Sequence, residues 1–302
     1  MAKETTAIQR QRVGFLLILP ALILVAVFTL YPFGYAVYTS LVKNVIYRPE
    51  TRGEWNGLGN YGSVVGSDYF VPAVTNTIFF SMAATTLTIV IALGVTELLN
   101  NKYRGAGLAR FLVFIPWAIP PVAAGIIWRQ MFQDSGWLNK ILGLLGIIHE
   151  PVYFLAQGES VLVLLSVIAQ VWQQLPFCVI LLTAVYQLIP SEVLDSASVD
   201  GASGFKLFRR VRFPYLKTAV AILLVFELII SFNTYDLVYT FAGGAWGLVS
   251  FYAFAESFSF GNLGNGAALA VVMGLVALAL VLLILRFLPP EKMYRYSFLS
   301  ED

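Results

Sequence analysis

Six long apolar segments, separated by more polar stretches, constrain the fold of this chain more than any other feature. Their approximate limits are 13–37, 71–99, 111–131, 161–188, 219–241 and 264–288. Each has about 20 or more residues, the length that an α-helix needs to cross the hydrocarbon core of a bilayer. Because the bilayer interior holds no water for backbone N–H and C=O groups, each segment must satisfy them internally. The sequence therefore predicts an all-α membrane protein with six transmembrane helices.

Composition supports this prediction and excludes several kinds of site. Hydrophobic residues make up 59% of the chain and charged residues 12%, against about 25% charged in soluble domains. One cysteine, Cys178, excludes an internal disulfide, and one histidine, His149, leaves too little for a His/Cys metal site. No GxxxxGK[ST] stretch is present, so any ATP hydrolysis falls to another subunit. We expect no catalytic residue, no metal and no cofactor of its own.

The distribution of positive charge predicts the orientation in the membrane. Six spans place both termini on one side, and cytoplasmic loops carry an excess of lysine and arginine. Of the 19 such residues, all but five fall on the side of the termini, the five being Lys43, Arg48, Arg52, Arg129 and Lys140. The termini and the loop between spans four and five are therefore predicted to be cytoplasmic.

The remaining segments are interpreted as follows. Residues 1–12 and 289–302 are short cytoplasmic tails that flank a six-span transmembrane domain at 13–288. Pro116, Pro120 and Pro121 should kink the third span. An outer segment contains a short amphipathic piece, 137–148, that is expected to lie along the membrane surface.

One polar segment, residues 189–217, is suited to contact a soluble partner. Its first part, 191–199, reads as a short helix that Ser191 can cap. Gly201 can take the positive φ that closes a helix. Ser203 can then cap a second helix, which Pro214 is expected to end before the next apolar segment.

This segment resembles the EAA loop of binding-protein-dependent ABC importer permeases, whose pattern is Glu-Ala-Ala, then Asp-Gly-Ala, then a hydrophobic residue and Pro. Asp195 stands where the family most often has Glu, and Ser196 and Lys217 replace a usual Ala and Pro. In the family the loop docks into the cytoplasmic ATPase. The resemblance implies a type I ABC importer fold and a set of coupling residues, Asp195, Ala197, Asp200, Gly201, Ala202, Phe205 and Phe208.

Amide side chains form a stripe on the fourth span. The stripe consists of Gln170, Gln173, Gln174 and Phe177, at spacings i, i+3, i+4 and i+7. Amides donate to and accept from sugar hydroxyls, and an aromatic ring stacks on the C–H groups of a sugar. The same amides could instead hold neighbouring helices together, an interaction worth about 0.6 kcal/mol in a membrane. The residues alone leave both interpretations open.

The resemblance favours the sugar interpretation and covers nearly the whole chain. The segment 231–236 is similar to the end of the fifth helix in sugar permeases, which makes Asn233 and Tyr235 further substrate-binding candidates. Asp236 is expected to cap a helix or face water, and the role of Glu227 is left open. The segment WNGLGNY at 55–61 is similar to an element that precedes the second core span in these permeases, although its glycines and asparagines also suit an ordinary turn.

The resemblance is to the first permease type of carbohydrate-uptake systems. It implies a multi-pass cell-membrane subunit that works with a second six-span permease, two ATPase subunits that bind ATP and Mg, and an extracytoplasmic solute-binding protein. The implied substrate is a mono- or oligosaccharide. A glycerol-phosphate or polyol permease is an alternative, although the stripe lacks the lysine or arginine that a phosphate favours. An ion-coupled secondary transporter would leave the polar segment at 189–217 unexplained. A purely structural subunit would leave the amide stripe unexplained.

Overall fold

The computed structural model describes residues 2–100, 104–243 and 247–287, with side chains described from residue 13 onward. These residues are almost entirely helical and contain only isolated β-bridges. The α-helices in chain order are α1 (Ala2–Val25), α2 (Tyr31–Leu41), α3 (Gly59–Val65), α4 (Phe70–Leu99), α5 (Ala106–Phe114), α6 (Pro121–Met131), α7 (Trp137–Leu144), α8 (Glu159–Tyr186), α9 (Ser191–Val199), α10 (Gly204–Leu207), α11 (Phe213–Asn233), α12 (Asp236–Ala242), α13 (Val249–Phe254) and α14 (Leu263–Phe287). The predicted tail 289–302 lies outside the described residues.

Five helical segments are long and apolar enough to cross a membrane within the part of the chain that the structure describes. They are Val13–Leu41, Phe70–Leu99, Glu159–Tyr186, Gly204–Asn233 and Leu263–Phe287. The second, fourth and sixth predicted spans agree with these limits to within about two residues. The first is longer than predicted, because α1 already begins at Ala2 and a π-helical turn at Ala26–Leu30 joins it to α2.

The third predicted span is not one kinked helix. The pair Ala106–Ala118 and Pro121–Met131 is bent by 105°, which makes it a broken span or a re-entrant segment. Ile119 and Pro120 are extended at the break, with ψ of 124° and 144°. Three prolines within six residues remove backbone donors, and each disfavours helical dihedrals in the residue before it. The sequence located the bend, but its size exceeds the predicted kink.

The prediction that Pro214 ends the second helix of the polar segment is wrong. The helix continues from Gly204 to Asn233 through a π-helical turn at Phe208–Arg212, and Pro214 lies in the first turn of α11. In a π-turn the backbone hydrogen bonds join residues five apart instead of four. Pro214 has no N–H to donate, and it lies just where the hydrogen-bonding pattern changes back to that of an α-helix, so the helix can continue through it. The fifth predicted span is also interrupted: α11 ends at Asn233, and α12 begins at Asp236.

The described chain divides into two compact units. The first contains the residues up to Ser67 together with Ala253–Val272. In it, Asn60 of the WNGLGNY segment donates from Nδ2 to the carbonyls of Ser40 and Val42, both at 2.8 Å. Its Oδ1 accepts from Asn56 Nδ2 at 2.9 Å. Asn60 therefore satisfies backbone carbonyls at the C-terminal end of α2, which is a more specific role than that of an ordinary turn former.

The second unit, Asp68–Tyr252 and the described residues from Met273 on, is built around α4, α8 and α11, which pack against one another. Two apolar clusters fill its interior. The first apolar cluster consists of Phe80, Ala84, Ala124, Val163, Val167, Ala169, Val171, Leu237, Val238 and Leu248. The second consists of Ile89, Ala92, Leu99, Cys178, Val179, Leu182, Leu216 and Leu223.

Helices α6 and α12 cross in very close contact at Gly125. A Cβ atom placed on Gly125 would clash with the Leu237 carbonyl oxygen and with Thr240 Oγ1. Only glycine fits this crossing, as is common where membrane helices approach closely. Arg129 at the end of α6 donates from Nη1 to the Phe241 carbonyl at 2.9 Å. The arginine thereby satisfies a free carbonyl in the last turn of α12.

Candidate transport path and coupling loop

The first part of the amide stripe on α8 is buried between helices. Gln170 is 1% exposed and Gln173 is 6% exposed. Gln173 donates from Nε2 to the Ile119 carbonyl at 3.3 Å, and that carbonyl lies at the break between α5 and α6. Gln173 therefore satisfies backbone that the broken helix pair leaves unpaired. For Gln173 the structure favours the helix-contact interpretation of the stripe, whereas Gln170 is buried with no hydrogen-bond partner for its Nε2 among the described residues.

The second part of the stripe reaches the surface and belongs to an aromatic group. Gln174 and Phe177 are half-buried. The Phe177 ring lies 5.0 Å from the ring of Phe226 on α11 and 6.3 Å from that of Trp117, which precedes the break. Trp117 and Phe226 are 57% and 45% exposed. Sequence reasoning missed both, since exposed aromatics are ordinary in a membrane helix and their proximity depends on the tertiary fold.

Asn233 lies on the exposed face of α11. This face presents Ile222, Phe226, Ile229 and Asn233, all of them exposed, at the helical spacing i, i+4, i+7 and i+11. The Asn233 amide donates from Nδ2 to the Ile229 carbonyl at 2.8 Å, and the residue itself is exposed. We call Trp117, Gln174, Phe177, Phe226 and Asn233 the aromatic–amide face.

Tyr235 does not continue that face. The chain turns at Thr234, and the Tyr235 ring stacks with those of Tyr239 at 5.3 Å and Phe251 at 6.4 Å. Asp236 is exposed, as the expectation that it faces water had it, but it does not cap α12, because it is already helical and Tyr235 holds the cap position. Tyr235 thus belongs to a second aromatic group, formed by α12 and α13, and Tyr239 and Phe251 of that group were not predicted.

The turn between the two helices of the polar segment has the expected geometry. Helix α9 spans Ser191–Val199, and Gly201 follows it with φ of +75°. Ala202 N–H donates to the Ala197 carbonyl at 2.9 Å, and Gly201 N–H to that of Ser198 at 3.1 Å. These are the two hydrogen bonds of a Schellman motif. The capping prediction for Ser191 is wrong, because Ser191 is already helical and Pro190 holds the cap position without a side-chain bond.

Most predicted coupling side chains lie at the surface of this segment. Asp195, Asp200 and Gly201 are exposed, and Ala197 and Ala202 are half-buried. Phe205 is 74% exposed, whereas Phe208 packs against the second apolar cluster. Val199 is 88% exposed and was not predicted, although an apolar residue at the end of a polar helix could have signalled it. The exposed coupling surface therefore combines apolar side chains, Val199 and Phe205, with the carboxylates Asp195 and Asp200.

A partly buried ion pair connects this segment to the second unit's core helices. Arg212, in the π-turn, pairs with Glu97 near the end of α4. The Arg212 guanidinium also lies 5.3 Å from the centre of the Tyr186 ring, at the end of α8, as a cation–π contact. An apolar groove of about 640 Å³, lined in part by Leu93, Leu98 and Phe205, lies beside the pair. Arg212, Glu97 and Tyr186 thus join the helix of the coupling segment to its two neighbours, α4 and α8.

Residues 89–290 match the family described as binding-protein-dependent transport system inner membrane component, and this match includes the last third of α4, the broken pair, α8, the coupling segment and α11. The chain belongs to this family. It is a multi-pass membrane subunit of a binding-protein-dependent transport system, and such permeases are not themselves enzymes.

Curated relatives cover almost the whole chain. The trehalose/maltose transport system permease protein MalF of Thermococcus litoralis is 32% identical over 91% of this chain and 93% of its own length. The sn-glycerol-3-phosphate transport system permease protein UgpA of Agrobacterium fabrum is 29% identical over 94% of this chain and 96% of its own length. The resemblance inferred from the coupling motif is therefore confirmed at the level of the family.

A solved structure supports the fold. A chain from a bacterial ABC transporter involved in the import of the acidic polysaccharide alginate superposes with a TM-score of 0.73 at 20% identity, over 94% of this chain and 98% of that one. A second structure of a bacterial alginate ABC transporter, in complex with an alginate pentasaccharide-bound periplasmic protein, gives a TM-score of 0.72. The predicted type I ABC importer permease fold is confirmed.

Proposed function

We propose that the chain is the permease subunit of an ATP-driven importer of a mono- or oligosaccharide, and that it forms the translocation path together with a second six-span permease. The observation that carries this proposal is the aromatic–amide face. Its rings can stack on the C–H groups of a sugar, and its amides can form hydrogen bonds with the hydroxyl groups. Both kinds of side chain are at least partly exposed in a membrane-spanning unit. A second permease that covers this face would close the path on its other side.

The face combines two kinds of side-chain chemistry. Phe177 and Phe226 present adjoining rings, with centroids 5.0 Å apart, for the C–H groups of a sugar ring. Gln174 and Asn233 supply amides whose oxygen and nitrogen atoms pair with hydroxyl groups. Gln170 and Gln173 stand behind the face and are assigned to helix packing, so the substrate residues form a smaller set than the sequence suggested.

The coupling surface indicates the energy source. Exposed Val199 and Phe205 fit a cleft in a soluble ATPase, and the sequence has no phosphate-binding loop of its own. We assign ATP and Mg binding to a pair of partner ATPase subunits and substrate delivery to an extracytoplasmic solute-binding protein. The excess of lysine and arginine supports a cytoplasmic location for both termini and for the coupling surface.

A polyol or glycerol phosphate is the second candidate substrate, favoured by the similarity to the UgpA protein. No lysine or arginine belongs to the aromatic–amide face, and a phosphate would favour such a residue. A neutral sugar is therefore the better match to this face.

The test separates substrate contact from helix packing. Asn233→Ala removes a hydroxyl partner from a partly dry site, which costs about 1–3 kcal/mol and lowers transport per assembled complex roughly 5- to 150-fold. Ile222→Ala, on the same face three turns earlier, is the matched control and should retain transport. Gln170→Ala should instead lower the yield of assembled complex. Full normalised transport by Asn233→Ala and by Phe226→Ala would contradict the proposed role of the face.

A further inference from the structure

One continuous helix carries both an ATPase-docking side chain and part of the aromatic–amide face. It runs from Gly204 to Asn233. Phe205 of the coupling surface lies in its first turn, and Phe226 and Asn233 of the face lie towards its other end. At a rise of about 1.5 Å per residue, roughly 40 Å of helix separates Phe205 from Asn233. Motion of the coupling surface therefore reaches the face along this helix only if the helix stays stiff.

The helix has a locally weak junction between these two sites. Its π-turn spans Phe208–Arg212, and the Phe213 N–H donates to the Phe208 carbonyl. Pro214 follows at once and has no N–H to donate. Prolines and π-turns are the common causes of sharp bends in helices, because each interrupts the regular hydrogen-bond pattern. From local structure alone, we expect the junction to bend when the coupling surface is pushed.

Contacts with two neighbouring helices hold the last residue of the π-turn. Arg212 pairs with Glu97 near the end of α4, and its guanidinium lies 5.3 Å from the centre of the Tyr186 ring at the end of α8. The two paired side chains are 15% and 26% exposed. In Lys43–Glu54, the other ion pair of the described residues, they are 47% and 52% exposed. The pair at the junction is therefore the less screened of the two.

The other residues of the π-turn show that Arg212 has a particular role. Arg209 and Arg210 are exposed, as positive charges that only orient the chain in the membrane are expected to be. Phe208, the first residue of the turn, packs against the second apolar cluster, and its ring lies 5.9 Å from that of Phe213. The turn is thus held at its first residue by apolar packing and at its last by Arg212.

We propose that Arg212 is a positioning residue for energy coupling. By holding the π-turn against Glu97 and Tyr186, it makes the coupling helix and α11 move as one element, so that displacement of the docked surface reaches the aromatic–amide face. Without Arg212 the junction bends, and ATP hydrolysis proceeds without moving the face. This inference rests on the proposed function and adds the residue that keeps the weak junction stiff.

Distances across the junction test this role without the substrate. Spin labels are attached to Lys206→Cys and Ile222→Cys, which are exposed positions on either side of the π-turn, in a Cys178→Ser background. Pulsed electron paramagnetic resonance measures the distance between the labels in the complete transporter, held in lipid nanodiscs with its partner subunits. With Arg212 in place, the distance distribution should be narrow and should not change when ATP and vanadate trap the ATPase. It should broaden in Arg212→Gln.

A matched pair of variants tests the ring contact in the same measurement. Tyr186→Phe keeps an aromatic face for the guanidinium and should keep the narrow distribution, whereas Tyr186→Leu should broaden it. A distribution that stays narrow in both Arg212→Gln and Tyr186→Leu would overturn the positioning role.

Coupling itself is measured as the factor by which the cognate solute-binding protein, purified with its bound sugar, stimulates ATP hydrolysis by the nanodisc complex. Arg212→Gln should lower this factor several-fold in complex that assembles and still hydrolyses ATP. Glu97→Gln should lower it similarly, and the double variant should be no worse than either single variant, because both substitutions remove the same contact.

Arg110→Gln is the matched control for a loss of stability at the end of α4. Arg110 donates to the Leu99 carbonyl at 2.8 Å from α5 instead of from the coupling segment, so its removal should leave the stimulation factor unchanged. A native factor in Arg212→Gln, or an equal loss in Arg110→Gln, would overturn the role of Arg212. If the unmodified transporter is not stimulated at all, the proposed function fails, and the spin-label distances still decide whether Arg212 stiffens the junction.

Discussion

Replacement of Gly201 tests whether the turn of the coupling segment positions the ATPase-docking surface. Its φ of +75° is left-handed, and nothing lies within 4 Å of a Cβ added there. The cost of a substitution is therefore a backbone cost without a steric clash. A left-handed conformation costs an L residue about 1–2 kcal/mol, with asparagine affected least and β-branched residues most.

This cost predicts a graded series. One or two kcal/mol corresponds to a factor of about 5–30 in the population of the native turn. Gly201→Asn should therefore retain most ATPase association, Gly201→Ala should lose part of it, and Gly201→Val should lose the most. Transport, normalised to the permease in the membrane, should fall in the same order. Co-purification of the ATPase at several protein concentrations measures the association.

A matched control distinguishes coupling from general destabilisation. Gly53, in the predicted outer loop, has φ of +87° and also has nothing within 4 Å of an added Cβ. Gly53→Val carries a similar backbone cost away from the coupling segment, so it should leave ATPase association unchanged. The reasoning is refuted if Gly201→Val keeps full association and transport, or if the two valine variants lose ATPase equally.

Three further predictions concern assembly and stability. Gly125→Leu places side-chain atoms against a helix backbone that cannot move away, which costs about 1–3 kcal/mol and should lower the yield of folded complex; Gly274→Ala, where nothing lies within 4 Å, should not. Asn60→Ala leaves buried carbonyls unpaired at about 1–3 kcal/mol, so the thermal midpoint of the detergent-solubilised complex should fall. Arg212→Met removes the partly buried ion-pair partner of Glu97 and should cost about 1–3 kcal/mol, and the double variant with Glu97→Gln should recover part of that loss in the same thermal assay.

The helical spans and the coupling turn could be predicted from sequence because local rules decide them. Apolar length defines a membrane helix, and the need for a positive φ identifies Gly201. Where prolines cluster, the location of a bend follows from sequence but its size does not. The 105° break between α5 and α6 depends on which donors pair with the backbone carbonyls that the break leaves free. One such donor is Gln173, which lies 54 residues away from Ile119 in the sequence.

The candidate site was harder to predict because helical spacing places residues on one face without showing what that face meets. Gln170 and Gln174 share a stripe, yet α4 and α6 pack over its first part and leave its second part at the surface. The contact of Phe177 with Phe226 joins residues 49 positions apart, and no local pattern announces it.

Uptake by the reconstituted transporter tests the central claim most directly. The complex is purified by a tag on this chain and reconstituted with its partner subunits in sealed vesicles. The cognate solute-binding protein is added on one side of the membrane, and ATP is supplied on the other side, where the coupling segment lies. We predict uptake of a sugar that requires both ATP and the binding protein, is not driven by a proton or sodium gradient, and falls when Asn233 is replaced by alanine. Uptake that follows an ion gradient without ATP, or that carries glycerol phosphate but no sugar, would contradict the account.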